Sequence, residues 1–137
     1  KKDKKFINKL MNQLKAGNRE LFVVDDKDGT PTYTHDFAKT VKELLNHELW
    51  GLYNCVCGGQ TGRLEVAKEL VNILGLKGEI KINPVKSDYF KDIYFAERPS
   101  SERLLTTKLD IRGINKMQNW KIALKEYIDA YYSDYLR

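Results

Sequence analysis

This chain of 137 residues has little with which to cross-link itself or to hold a metal. Its two cysteines, Cys55 and Cys57, are too few for a disulfide scaffold and fit a reduced, cytoplasmic protein. At i and i+2 of a strand the two thiols would face one side, as small core residues. A metal site would need further ligands, and the histidines, His35 and His47, stand far apart in the sequence, so no metal is expected. No apolar run reaches the roughly 18 residues that a membrane-spanning helix requires. The opening Lys1-Lys2-Asp3-Lys4-Lys5 has no apolar stretch behind it and is not a secretory signal. It also lacks an initiator methionine, which points to a chain that starts inside a longer one.

The familiar catalytic and cofactor sets are missing too. A dinucleotide-binding fingerprint needs G-x-G-x-x-G between a strand and a helix, so that backbone amides can approach a pyrophosphate. The nearest match, Gly58-Gly59-Gln60-Thr61-Gly62, has the wrong spacing. It reads better as a helix entry, with Gln60 or Thr61 helping to cap the amides. No tyrosine is followed four residues later by lysine, and no Ser/His/Asp or Cys/His arrangement stands out. No catalytic or cofactor-binding residue is therefore assigned, and the chain alone is expected to be inactive and to bind no cofactor.

What is present suits one soluble domain: 42% apolar residues supply a core, and 31% charged residues a wet surface. The net charge of +5 lies wholly in residues 1–20, which hold seven Lys/Arg against two Asp/Glu. A nucleic-acid binder spreads its basic residues along a face or groove. Here they sit on one short amphipathic segment, so a solvated helix face is the expectation, with neither nucleic acid nor membrane as partner. A basic interaction module formed by residues 1–20 is the bland alternative.

Hydrophobic spacing gives the element order. Phe6, Ile7, Leu10, Met11 and Leu14 recur at helical spacing, with Gly17 as a stop. Residues 20–24 read as a buried strand, broken by the turn Asp25-Asp26-Lys27-Asp28-Gly29. Thr34 or His35 opens a second helix with the stripe Phe37, Val41, Leu44 and Leu45. Tyr53 to Val56 is a strand candidate. A third helix follows the Gly-rich turn, with Leu64, Ala67, Leu70, Val71 and Leu74 inward and Gly75 closing it. Glu79-Ile80-Lys81-Ile82 alternates as a strand does. Residues 84–103 are irregular, as functional loops often are. A last helix spans about 117–132, with Trp120, Leu124, Tyr127, Ile128 and Tyr131 on one side. The fold class is α/β, a small sheet with packed helices.

Two segments are distinctive: Asp25-Asp26-Lys27-Asp28-Gly29-Thr30-Pro31-Thr32-Tyr33-Thr34-His35-Asp36-Phe37-Ala38, and Ala96-Glu97-Arg98-Pro99-Ser100-Ser101-Glu102-Arg103-Leu104. With Trp50-Gly51-Leu52-Tyr53-Asn54 and the helix from Trp120 to Tyr127, they follow in the order seen in the carboxy-terminal half of dTDP-4-dehydrorhamnose reductases. Over nearly its whole length the chain resembles that family, a branch of the extended short-chain dehydrogenase/reductase group. Three departures stand out: Cys57 where the family has Asn before the Gly-rich turn, Gly62 for the Ser entering the third helix, and Ser101 and Glu102 for the Asn-Ser of the loop.

The resemblance implies a division of labour. The family's amino-terminal half is a Rossmann domain carrying NADPH or NADH and a Thr/Tyr/Lys set. Residues 1–137 would be the substrate-binding part, with that half absent. Arg98 matches the loop arginine aimed at the diphosphate of a nucleotide-sugar, a dTDP-4-dehydro-6-deoxyhexose. Its guanidinium is always charged and can hold phosphate oxygens in pairs, and Pro99 restrains the backbone beside it. The simpler reading is a surface arginine paired with Glu97 or Glu102. Pro31 and Thr32 match the family's turn at the cleft, and Ser101 stands at the loop's Asn position. Thr32 could bond a ligand or only its own turn, whereas Tyr33 and Trp120 read as packing residues. The resemblance also places 53–56 in the Rossmann sheet, leaving an open strand edge, so the chain is expected to be marginal alone, a homodimer, or completed by further residues. A non-catalytic regulatory subunit with a reductase-like fold, as in the beta subunit of methionine adenosyltransferase, is the alternative.

Overall fold

The computed structural model describes residues 5–93 and 98–133. Residues 1–4 of the basic segment, Ala96 and Glu97 of the loop motif, and Tyr135 lie outside these. The elements run α1 (Phe6–Lys15), β1 (Glu20–Val24), α2 (Thr34–Asn46), α3 (Arg63–Ile73), β2 (Lys81–Val85), a short 3-10 turn (Ser87–Phe90), α4 (Thr107–Ile111) and α5 (Trp120–Tyr132). β1 and β2 pair in parallel, with Leu21 opposite Ile82 and Val23 opposite Pro84. Proline is tolerated there because each strand of a two-stranded sheet has an open edge.

The core lies where α3 packs on this sheet and on α5, with α1 joining the same cluster. Leu10, Met11 and Leu14 from α1, Leu21 and Val23 from β1, and Val66, Ala67, Leu70 and Val71 from α3 form one buried cluster. From α5 it takes Trp120, Ala123, Leu124, Ile128 and Tyr132. The expected stripes of α1 and α3 hold, whereas that of α5 is offset at its end. Tyr132 goes inside, its hydroxyl donating to Asn8 Oδ1, and Tyr131 is 53% exposed.

Two expectations need correction. Tyr53–Val56 forms no strand, because no neighbouring strand among the described residues offers it a ladder. It is anchored at its ends instead: the Asn54 amide donates to the Leu105 carbonyl, and the Cys57 N–H to the Pro31 carbonyl. Trp50 and Leu52 beside it are among the most exposed large apolar residues. In α2 the fully buried positions are the polar Asp36 and Thr40, while Phe37 and Leu45 of the expected stripe are about half exposed. Asp36 can be buried because it is bonded. Its carboxylate accepts from Lys39 Nζ and from the N–H and amide of Gln118, at 3.3 to 3.4 Å. That contact ties α2 to the residues that lead into α5.

Candidate functional site

Three loops meet at Asp28, which bridges to Gly62 on one side and to Ser101 on the other. Its N–H donates to the Ser100 carbonyl (2.8 Å), and its own carbonyl accepts from Glu102 N–H (2.9 Å). Gly29 N–H reaches the Thr61 carbonyl (3.1 Å). The strong turn read at 25–29 thus carries the 98–102 loop onto the first turn of α3. Gly62 fits closely at this crossing: an added Cβ would lie 3.0 Å from Glu65 Oε2 and 3.2 Å from the Lys27 carbonyl, so a larger residue would need these neighbours to give by a few tenths of an ångström.

Beside this crossing opens a hollow of about 640 Å³. Phe6 of α1, Val66 of α3, and Trp120, Leu124 and Tyr127 of α5 contribute its apolar wall. The rim comes from residues 27–34 and from Arg98 and Glu102. Arg98, Pro31 and Thr32, distant in sequence, line the same hollow. Ser101 is not among its lining residues: its hydroxyl accepts from the N–H and Nε of Arg103. Tyr33 and Trp120, read as packing residues, pack against or within the core and also line the hollow.

Charge is concentrated at the rim. Lys5, Lys27, Arg63 and Arg98 face Asp28 and Glu102 among the described lining residues. Lys27 Nζ donates to the Arg98 carbonyl (2.7 Å) and so fixes the loop. Arg98 Nη1 donates to both Glu102 carboxylate oxygens (3.2 and 3.3 Å), and the two side chains remain about half exposed. The surface pairing of Arg98 and its place on a cavity thus coexist. Arg63 sits over the Phe6 ring at 6.0 Å, near the limit of a cation–π contact. Burial pushes the Tyr33 phenol up, with Tyr131 adding to it, so Tyr33 stays neutral at physiological pH. It stacks on His35, whose Nε2 lies 2.9 Å from the Tyr131 hydroxyl.

Sequence reasoning singled out neither Lys27 nor Arg63. Lys27 sits in a segment read only as a turn, and Arg63 follows a glycine run read only as a helix entry. No periodicity marks either.

A nicotinamide cofactor would need amides free to meet a pyrophosphate, and the Gly-rich turn does not fit that demand. Gly58 N–H is bonded to the Gln118 carbonyl, and Gly62 N–H to Glu65 Oε2. Over Gly59 (φ 91°) stands Trp120, whose Cδ1 is 2.9 Å from where a Cβ would be. The turn is a helix entry, as expected, but Glu65 provides the cap, and the Thr61 hydroxyl instead lies 3.3 Å from the Gly62 carbonyl.

The family model described as RmlD substrate binding domain matches residues 1–133. The chain belongs to this family. It is 30% identical over 118 residues to the spore coat polysaccharide biosynthesis protein SpsK of Bacillus subtilis, covering 86% of this chain and 40% of that protein. The crystal structure of a dTDP-4-dehydrorhamnose reductase from Clostridium acetobutylicum superposes with a TM-score of 0.82 at 31% identity, covering 95% of this chain and 45% of that one. A dTDP-4-dehydrorhamnose reductase from Bacillus anthracis, in complex with NADP, gives 0.82 at 25% identity, covering 95% and 44%. The chain therefore spans less than half the length of these relatives and shares the α/β fold of the part it matches.

Proposed function

We propose that this RmlD substrate-binding domain is the nucleotide-sugar-binding part of an NAD(P)-dependent reductase of the dTDP-4-dehydrorhamnose reductase type. The observation that carries the reading is the convergence of Arg98 with Pro31 and Thr32 on one hollow that is apolar behind and cationic at its rim. A nucleotide-sugar is built to match: ring faces for the aromatic wall, a diphosphate for the guanidinium. Arg98 would hold the phosphate oxygens, while Pro31 and Thr32 would shape the sugar end. Ser101, turned toward Arg103, would act by holding the loop. Hydride transfer to C4 of a dTDP-4-dehydro-6-deoxyhexose would need the NADPH or NADH, and the catalytic residues, of a longer protein. Nothing in the Gly-rich turn substitutes for them.

Calorimetric titration of dTDP into the chain tests this. Binding is expected, and Arg98→Gln should weaken it by roughly tenfold or more, the effect of losing a hydrogen bond to a charged group. Absence of dTDP binding, or equal binding by the variant, would remove the assignment. The reductase reading also requires a G-x-G-x-x-G fingerprint and a Tyr-x-x-x-Lys pair in the parent reading frame.

A further inference from the structure

We infer that Glu102 is an internal anion that occupies the diphosphate's place on Arg98, so that a bound phosphate group has to exchange with it. This rests on the reading of the hollow as a nucleoside-diphosphate site and adds a residue that sets its affinity. The geometry is specific. One guanidinium nitrogen, Nη1, faces both oxygens of the Glu102 carboxylate, at 3.2 and 3.3 Å. Both residues line the hollow, so the donor that would meet a ligand's phosphate is already engaged by a carboxylate of this chain.

The pair is built to exchange. Its side chains are 60% and 49% exposed, and an ion pair so wet contributes little to stability. The backbone, in contrast, is fixed independently of the carboxylate. Glu102 N–H is held by the Asp28 carbonyl (2.9 Å), and the Arg98 carbonyl by Lys27 Nζ (2.7 Å). The guanidinium can therefore change partner without the loop moving. An anion of higher charge density than a carboxylate, such as a diphosphate, wins the exchange, and it does so against the residual repulsion of Glu102. That carboxylate lowers affinity for every anion at the rim and favours those with the most charge.

Titrating inorganic pyrophosphate into the chain, Glu102→Gln, Arg98→Gln and the double variant tests the exchange, with thermal melts confirming that all four fold. Glu102→Gln should bind about fivefold more tightly than the unmodified chain, as expected for removing one charge some 4 Å from the anion in a water-like medium. The gain should shrink as salt is raised. In the Arg98→Gln background the same substitution should give a smaller gain, because the pair is then already broken. Equal or weaker binding by Glu102→Gln, or an undiminished gain without Arg98, overturns the inference while leaving the nucleotide-sugar reading in place. Should neither the unmodified chain nor Glu102→Gln bind pyrophosphate, both fall.

Discussion

The layer in which α1, α3 and α5 share one apolar cluster with β1 and the corner at Asp28 are built by different means. The layer is held by apolar burial: Met11, Leu21, Ala67 and Leu70 have no exposed surface, and their contacts form a single cluster. The corner is held by backbone bonds among the 28–29, 61–62 and 100–102 segments, with exposed ion pairs around them. The layer tolerates no loss of volume. The corner can lose a side chain and keep its shape, which is what a binding rim requires if it is to exchange partners.

The sharpest way to break this contrast is Leu70→Ala. Leu70 is fully buried on the inner face of α3, and its truncation should cost about 3 kcal/mol through lost transfer and a residual cavity. A urea unfolding midpoint measures it. A loss below ~1 kcal/mol would mean that the layer is not the stabilising half. Asp36→Ala comes next, at about 2 kcal/mol, because it removes the fully buried carboxylate that accepts from Lys39 and from the Gln118 N–H and amide, although that amide keeps Glu126 as a partner. Asp36→Asn should recover part of that loss. The comparison of the two melting curves separates lost bonding from lost shape.

What could be read from the sequence follows the same division. The faces of α1 and α3 were legible because burial imposes a period of 3.6 on Leu10, Met11, Leu14 and on Ala67, Leu70, Val71. In α2 the same rule misled, since Asp36 and Thr40 are buried while Phe37 turns to the hollow. Periodicity does not reveal that a carboxylate has donors waiting 82 residues away in sequence. The stretch 53–56 has strand composition but no strand to pair with among the described residues, and pairing is not a local property. α4 is only five residues long and leaves too short a pattern to see. The corner was visible through the resemblance alone. Nothing in the spacing of Pro31 and Arg98 says that they meet.

A pH titration sharpens the contrast at the edge of the two regions. Asp26 follows β1 and accepts from the Ser87 N–H and hydroxyl. The Ser87 N–H chiefly holds its carboxyl below the ordinary 3.8, against the opposing effect of burial. A folded-state value lower than the unfolded one stabilises the fold above the unfolded value. That contribution is lost as pH falls through the folded value. Unfolding midpoints should therefore decline below about pH 4, and Asp26→Asn should flatten that limb with a small offset at pH 7. An unchanged acid limb in the variant would show that Ser87 does not anchor the segment through this carboxylate.

Arg98→Gln should have the smallest effect on stability, and that is its value. The side chain is exposed, its ion pair with Glu102 is wet, and its backbone carbonyl is held by Lys27 whatever the side chain is. A surface change of this kind moves stability by less than ~0.5 kcal/mol. If the corner is a rim held in place by its backbone, the melting temperature stays within experimental error while dTDP binding weakens tenfold or more. A fall in stability comparable to that of Asp36→Ala would mean that the guanidinium is a structural brace. The distinction between a packed layer and an exchangeable rim would then dissolve, because one side chain would be doing both jobs.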